Sequence, residues 1–426
     1  MKQNLNKFIS SINQYTLIIL YKVILDVTYV MIEADYVYRY CHVICEIKYF
    51  KILLGYVLYI LTFKLIKSEK DGIAYLFSYT FFALGLAPLL TYYQFSNVCQ
   101  LWMVIVHVLG LVLIHFVSTR ENRGIETFKQ VHYCSNNVFV FLTSYLIIFT
   151  MYAINRFGMP VFHLIDLEAI SHIRATVGLS TLDSIITNIS CRVIIPLSII
   201  IFWKSDKYVN ALYAVFVQLY IYSVTGYKTF LFIPVVLVGV ALIERIDLKR
   251  IVFLGLSALL LLVDILESVF ALHLPYFLVG NRVLFFPALI KWSYMDFFSK
   301  NEFIYFTQNS ISKILRIQSN YPINVPNLIG EKYFNNYEMW TNTGFISEAY
   351  SNLGIIGVLF ISLSMAMILR ITSRYVDSTH GKMKNAVIAM YLLYFIMLND
   401  GALVYTLFSG GLIVLITLVI FINFNE

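Results

Sequence analysis

Apolar segments long enough to cross a bilayer recur from one end of this sequence to the other. That restricts the chain to folds that satisfy every backbone group without water. A helix crossing ~30 Å of hydrocarbon needs ~20 mostly apolar residues. Such runs fall at roughly Tyr15–Ile32, Tyr49–Leu65, Ile73–Tyr92, Val98–Val117, Asn137–Asn155, Ile185–Trp203, Tyr208–Thr225, Thr229–Ile243, Ile251–Phe270, Leu353–Ile371, Asn385–Leu398 and Ala402–Phe421, about twelve in all. They are continuously apolar rather than alternating, which selects helices over the strands of a membrane barrel. Lys22 interrupts the first run and no small-residue cleavage pattern follows it, so that run reads as a retained helix and not as a cleaved leader. The expected fold is all-α: a polytopic integral membrane protein whose single transmembrane domain occupies all 426 residues.

Lysine and arginine in the short loops set the orientation, because basic residues collect on the cytoplasmic side. Lys2 and Lys7 stand at the N-terminus, and Lys67 and Lys70 in the second loop. Arg120, Arg123 and Lys129 are in the fourth loop, Lys204 and Lys207 in the sixth, Arg245, Lys249 and Arg250 in the eighth, and Arg374, Lys382 and Lys384 in the tenth. The third and eleventh loops carry none, and the first has Arg39 and Lys48. Both termini and the even-numbered loops are therefore expected in the cytoplasm. The formal net charge of +7 follows from this topology and reads as contact with the anionic cytoplasmic leaflet, not with nucleic acid.

Two loops exceed a simple connection, one from about Arg156 to Asp183 and one from about Ala271 to Asn352. Both fall on the outer side. The second mixes Trp292, Tyr294, Phe297, Phe298, Tyr305, Phe306, Tyr333, Phe334, Tyr337 and Trp340 with Asn, Lys and Arg. Flexible linkers lack aromatics, so this loop is expected to fold, with short amphipathic helices near Val283–Phe298 and Phe303–Leu315 lying on the membrane surface.

The chemistry-bearing motifs are mostly absent. The five cysteines, Cys41, Cys45, Cys99, Cys134 and Cys191, form no zinc-ligand pattern, and the spacing of Cys41 and Cys45 on one helix suits a disulfide poorly. There is no phosphate-binding loop, dinucleotide fingerprint, metalloprotease motif or nucleophile elbow, and no cofactor is expected. What remains is a set of ionisable residues at the outer boundary, where each is costly and calls for a reason. Arg192 lies about two turns inside its span, and Lys228 follows the Thr225–Gly226–Tyr227 turn. Asp264 and Glu267 share one helix face, Glu348 opens a span, and Asp400 caps the last outer turn. Arg174 and Arg282 come from the two long loops. Snorkelling and helix-end pairing would explain any one of them. Taken together, several cations at one lipid–water boundary suit a phosphate or diphosphate, to which arginine offers a planar fork. Lys22 and Asp26, four residues apart, are expected to pair within their helix.

Four segments then bring a family into view. Asn281-Arg282-Val283-Leu284-Phe285-Phe286-Pro287, followed by Tyr294-Met295-Asp296-Phe297-Phe298, resembles the large periplasmic loop of the O-antigen polymerases, the Wzy-type oligosaccharide repeat-unit polymerases. Asn342-Thr343-Gly344-Phe345, running into Glu348-Ala349-Tyr350-Ser351-Asn352-Leu353-Gly354-Ile355-Ile356-Gly357, resembles it too. Thr225-Gly226-Tyr227-Lys228 is similar to the family's Gly-rich turn, and Ile173-Arg174-Ala175-Thr176-Val177-Gly178 to a segment of its other long loop. Neither long loop has an Arg followed eleven residues later by Gly, a spacing found in some members.

The resemblance implies glycosyl transfer at the periplasmic face of the bacterial inner membrane. A glycan on undecaprenyl diphosphate is the donor, a lipid-linked repeat unit is the acceptor, and a Wzz-type chain-length regulator is the implied partner. Cations must then stabilise the departing diphosphate, and a carboxylate must take the acceptor proton. Arg282 is the expected diphosphate ligand, with Arg174, Arg192 and Lys228 as further phosphate ligands. Glu348 is the expected base, Asp296 the first alternative and Asp264 and Glu267 further ones, while Tyr294 and Tyr350 are placed against the sugar. An O-antigen ligase, a lipid-linked oligosaccharide flippase and an ion-coupled transporter stay open on the residues alone. The orientation has a direct test. Cysteine labelling or reporter fusions are expected to place Arg174 and Lys300 outside and Lys249 inside, and the reverse would overturn it.

Overall fold

The computed structural model describes residues 13–120, 130–159, 178–227, 229–231, 233–234, 248–309, 312, 315–379 and 383–424. Among the described residues the chain is almost wholly helical. Nine helices among these residues are long and apolar enough to cross a membrane: Tyr49–Ile66, Ile73–Phe95, Leu101–Ser118, Asn136–Phe157, Thr181–Lys204, Tyr208–Thr225, Leu248–Phe270, His273–Phe298 and Phe345–Asp377. The first apolar run forms one continuous helix, Gln14–Thr28, Tyr29–Glu33 and Ala34–Cys41 in succession. Lys384–Asp400 covers the eleventh run. The run Thr229–Ile243 lies largely outside the described residues. The last run is broken into Leu403–Leu407 and Leu412–Phe421, because the chain turns at Gly410 and Gly411. Gly411 adopts φ 89°, where a side chain would be strained.

Proline explains where several helices widen. Ala87–Phe95, Ile195–Lys204 and Phe286–Phe298 each have proline in the first turn: Pro88, Pro196 and Pro287. Each follows directly on a π-helical turn, at Phe82–Leu86, Ser190–Ile194 and Phe277–Phe285. Proline lacks the N–H and its ring crowds the carbonyl one turn back. The preceding turn widens to accommodate it while the helix continues. Phe345–Asp377 bends for a different reason. Leu353 and Gly354 leave helical geometry, Gly354 at φ 60°, and a side chain there would meet the ring of Phe303 at 2.9 Å.

The chain divides into two compact units. One comprises Met1–Glu121, Arg245–Arg370 and Phe395–Leu403, and the other Asn122–Glu244, Ile371–Tyr394 and Val404–Glu426. In the first unit, loops expected on one side of the membrane do meet. Lys249 Nζ donates to the carbonyls of Ser68 and Lys70 at 3.1 and 2.8 Å, joining two basic loops. At the opposite ends of those helices, Glu46 N donates to Phe95 O at 2.7 Å, joining the first and third loops. In the second unit, Ile195–Lys204 packs on Tyr208–Thr225, and Gln218 Nε2 ties the carbonyls of Cys191 and Phe230 together at 3.0 and 2.8 Å. Val131–His132 pairs in parallel with Ile422–Asn423.

His273–Phe298 departs from the sequence expectation of a short surface helix at 283–298. It is one helix of 26 residues, and its second half is almost entirely buried. Near its start Tyr276 reaches Glu33, and the ring of Phe286 lies 5.8 Å from Tyr40, close to the first loop. Beyond its end, Phe303 stacks edge-on to Tyr350, which lies 5.4 Å from Trp102 beside the third loop. The helix therefore begins and ends at the end of the unit that bears the first and third loops. In place of the helix expected near Phe303–Leu315 there is a turn over 305–308, and much of 310–314 lies outside the described residues. A helix that the sequence reading did not anticipate, Val325–Phe334, caps this region. Its Tyr333 and Phe334 rings pack on Trp292 and Phe286 at 5.3 and 5.5 Å.

The expected Lys22–Asp26 pair forms within the first helix and is fully buried. Thr91 joins it, its Oγ1 lying 3.1 Å from Lys22 Nζ and donating to Asp26 at 2.8 Å, and Gln94 accepts from Lys22 as well. Removing one member of such a pair leaves a buried charge without compensation. Lys22→Met is expected to cost about 3–5 kcal/mol, and the double variant Lys22→Met/Asp26→Leu to recover most of it, read by unfolding titrations in detergent.

Candidate functional site

Five of the residues singled out in the sequence belong to the first unit. Arg282, Tyr294 and Asp296 stand on His273–Phe298, and Glu348 and Tyr350 on the first turns of Phe345–Asp377. Arg192 belongs to the second unit, in the π-helical turn Ser190–Ile194. Its Nε and Nη1 are buried without a hydrogen-bond partner among the described residues, and the Tyr394 hydroxyl is within its electrostatic reach. Arg174 and Lys228 lie outside the described residues.

Arg282 is exposed, with its guanidinium over the rings of Phe286 and Phe277 at 5.1 and 6.0 Å. Among the described residues it makes no ion pair or hydrogen bond. The residue before it is fixed from the first helix. Asn281 Nδ2 donates to Glu33 Oε1 at 2.8 Å, and the Tyr276 hydroxyl donates to Glu33 Oε2 at 2.7 Å. Glu33 is wholly buried; Asn281 lies on the widened stretch of helix ahead of Pro287 and Tyr276 immediately before it. Asn281 is thus held inward while its neighbour Arg282 faces outward.

Deeper in the unit a lysine is buried that the sequence offers no reason to group with Arg282. Lys291 Nζ donates to Asn399 Oδ1 at 2.6 Å, and Asn399 Nδ2 donates to Asp400 Oδ1 at 3.1 Å. Asn399 fits because two glycines face it. A Cβ on Gly344 would lie 2.3 Å from the Asn399 carbonyl oxygen and 3.0 Å from Lys291 Cε, and one on Gly85 would lie 3.1 Å from Asn399 Oδ1. Lys291 is also within electrostatic reach of His107, whose Nε2 lies 3.1 Å from the Ser347 hydroxyl. Asp400 stands two residues beyond the expected span Asn385–Leu398 and is part-exposed. Burial pushes its carboxyl up to about 6, while the charges of Lys291 and Arg282 oppose that rise.

The remaining polar groups differ in how far they are already engaged. Asp296 accepts from Lys300 Nζ at 2.8 and 2.9 Å and from the Tyr333 hydroxyl at 2.7 Å. Burial, and then the Asp296 carboxylate, raise the Tyr333 hydroxyl well above the ordinary phenol range. Glu348 Oε1 accepts from Asn352 Nδ2 at 2.9 Å, and its Oε2 is buried without a partner among the described residues. The hydroxyl of buried Tyr294 donates to the Thr341 carbonyl at 2.8 Å. Tyr350 packs between Trp102 and Phe303. Both tyrosines are buried in these contacts. No group of three or more His, Cys, Asp or Glu among the described residues could hold a metal ion.

Two of these features had a trace in the sequence. Lys291 is a lone cation between Ala288-Leu289-Ile290 and Trp292, where a buried charge would need partners. Arg192 and Arg282 each precede a proline by four or five residues within an apolar run, the spacing that puts each on a widened turn. Asn399 had no such trace, because its role depends on glycines far away in the chain.

Chemically, a free guanidinium at the rim can receive a phosphate through two parallel hydrogen bonds. The Lys291–Asn399–Asp400 chain sets a part-exposed carboxylate within its electrostatic reach, with a second cation, Lys291, acting on that carboxylate. Gly344→Ala is expected to force Asn399 away from Lys291 and to destabilise the protein by about 1–3 kcal/mol, seen as a lowered melting temperature in detergent. An unchanged melting temperature would show that the contact at Gly344 is not tight. No family model, no curated protein and no solved structure matches this chain.

Proposed function

We propose that this chain is an O-antigen polymerase of the Wzy type. It joins undecaprenyl-diphosphate-linked oligosaccharide repeat units by glycosyl transfer at the periplasmic face of the bacterial inner membrane. One observation carries the reading. Arg282, inside the segment that resembles the family's large loop, holds its guanidinium exposed and unpaired among the described residues, within electrostatic reach of the part-exposed Asp400, which Asn399 links to the buried Lys291. A diphosphate anchored by a lipid tail would meet that guanidinium at the membrane boundary. The proposed topology is about twelve spans with both termini cytoplasmic, resting on the alternation of basic loops. Contacts between loops of like expected side support it.

In this reaction a hydroxyl of the lipid-linked repeat unit attacks the anomeric carbon of the donor glycan, and undecaprenyl diphosphate departs. Arg282 would stabilise the charge that develops on the leaving diphosphate, an effect worth most where water is excluded. Lys291, buried and joined to Asp400 through Asn399, acts on that carboxylate without touching the substrate. A carboxylate of the same cluster takes the acceptor proton. The Wzz-type regulator remains the partner expected from the resemblance.

Deletion of the gene is the first test. A polymerase predicts lipopolysaccharide carrying a single repeat unit. A ligase instead predicts loss of all O-antigen from lipid A, with polymer retained on the lipid carrier. In a complemented strain, Arg282→Ala is expected to reduce polymer by about a hundredfold or more at normal protein level. Arg282→Lys should lose much of the activity as well, since it keeps the charge and loses the fork. Wild-type polymer from Arg282→Ala would remove Arg282 from the site.

A further inference from the structure

We propose that Asp400, rather than Glu348 or Asp296, is the general base that deprotonates the acceptor hydroxyl; this rests on the polymerase reading above. The argument is one of availability. Both oxygens of Asp296 are occupied, by Lys300 and by Tyr333. Glu348 gives one oxygen to Asn352 and keeps the other buried away from solvent, so an incoming hydroxyl could not reach it without the helix start moving. Asp400 has one oxygen held by Asn399 at 3.1 Å, while its Oδ2 has no hydrogen-bond partner among the described residues. The residue is part-exposed.

Position adds to availability. Asn399 is locked by Lys291 at 2.6 Å and by the lack of a Cβ on Gly344 and Gly85, so the residue after it is held in one place. Asp400 ends the helix Lys384–Asp400, where the helix dipole disfavours a negative charge and keeps the carboxylate basic. Lys291 and Arg282 face it as the countercharges, and His107 faces Lys291 from Leu101–Ser118. A carboxyl that titrates near 6 suits proton transfer at neutral pH better than one at the ordinary value.

The step balances within these groups. The acceptor oxygen forms the new bond to the anomeric carbon, and its proton passes to Asp400 Oδ2. The bond between that carbon and the phosphate oxygen breaks, and its electron pair leaves with undecaprenyl diphosphate against Arg282. The protonated Asp400 then returns its proton to water.

The test uses the full-length purified protein with undecaprenyl-diphosphate-linked repeat units. Asp400→Asn is expected to slow polymerisation by about a hundredfold or more while binding of the lipid-linked substrate is unchanged. Wild-type activity should fall as the pH drops through about 6, because the base must be ionised, and the residual activity of Asp400→Asn should lack that acid limb. Glu348→Gln should keep the acid limb, whatever its effect on the rate. If Asp400→Asn does not fold, Asp400→Glu takes its place, with a reduced rate and a displaced limb expected. Polymerisation at the wild-type rate by either variant, or an acid limb that persists unshifted, would overturn Asp400 as the base while leaving the polymerase reading intact. Wild-type protein that forms no polymer from these substrates would overturn that reading, and the base assignment with it.

Discussion

A lysine ammonium buried among apolar helices must find partners within the protein, and Lys291 shapes much of the first unit for that reason. Its charge is too costly to leave bare in a low-dielectric interior. The solution is a neutral amide, Asn399, with a carboxylate, Asp400, beyond it. That solution requires the chain at Asn399 to approach closely, and Gly344 and Gly85 supply the space. The start of Phe345–Asp377, with Glu348 and Tyr350, is drawn in through Gly344. The end of Lys384–Asp400 is drawn in through Asn399. Three distant stretches of sequence are thereby fixed around one cation.

The same logic recurs at Glu33, with the sign reversed. Its carboxylate is wholly buried and has hydroxyl and amide donors in place of a cation. It holds Tyr276 and Asn281, and so holds the widened stretch of helix ahead of Pro287. Arg282 needs no partner of its own to be positioned, because the backbone on its N-terminal side is already held. A cation kept in place without being neutralised can bind an anion without first breaking an ion pair, and that property links the packing to the proposed chemistry.

The helix His273–Phe298 shows how packing can override length. By length and apolar content it could cross a membrane. Its second half nevertheless carries Lys291 and Trp292 toward different neighbours, Asn399 on one side and Tyr92 and Tyr333 on another. Val325–Phe334 then covers it. Tyr333 and Phe334 of the large loop pack against Trp292 and Phe286 of the buried helix, whereas Tyr305, Tyr337 and Trp340 stay exposed.

The length of the apolar runs, helix spacing and aromatic content were sufficient to give the all-α class, membrane-length helices, the Lys22–Asp26 pair and a large loop that is partly helical. Those properties depend on residues near one another in the chain, where hydrocarbon thickness and helix spacing act directly. The family resemblance also pointed to Arg282, whose placement beside a proline-widened turn is local. The break at Gly410–Gly411, the helix at Val325–Phe334 and the embedding of His273–Phe298 were not legible, because each is decided by what packs against it. Lys291, Asn399 and Asp400 are the clearest case. Their grouping needs two distant glycines, Gly85 within a helix and Gly344 just before one, to permit one close approach, and no local pattern records a contact made across more than a hundred residues.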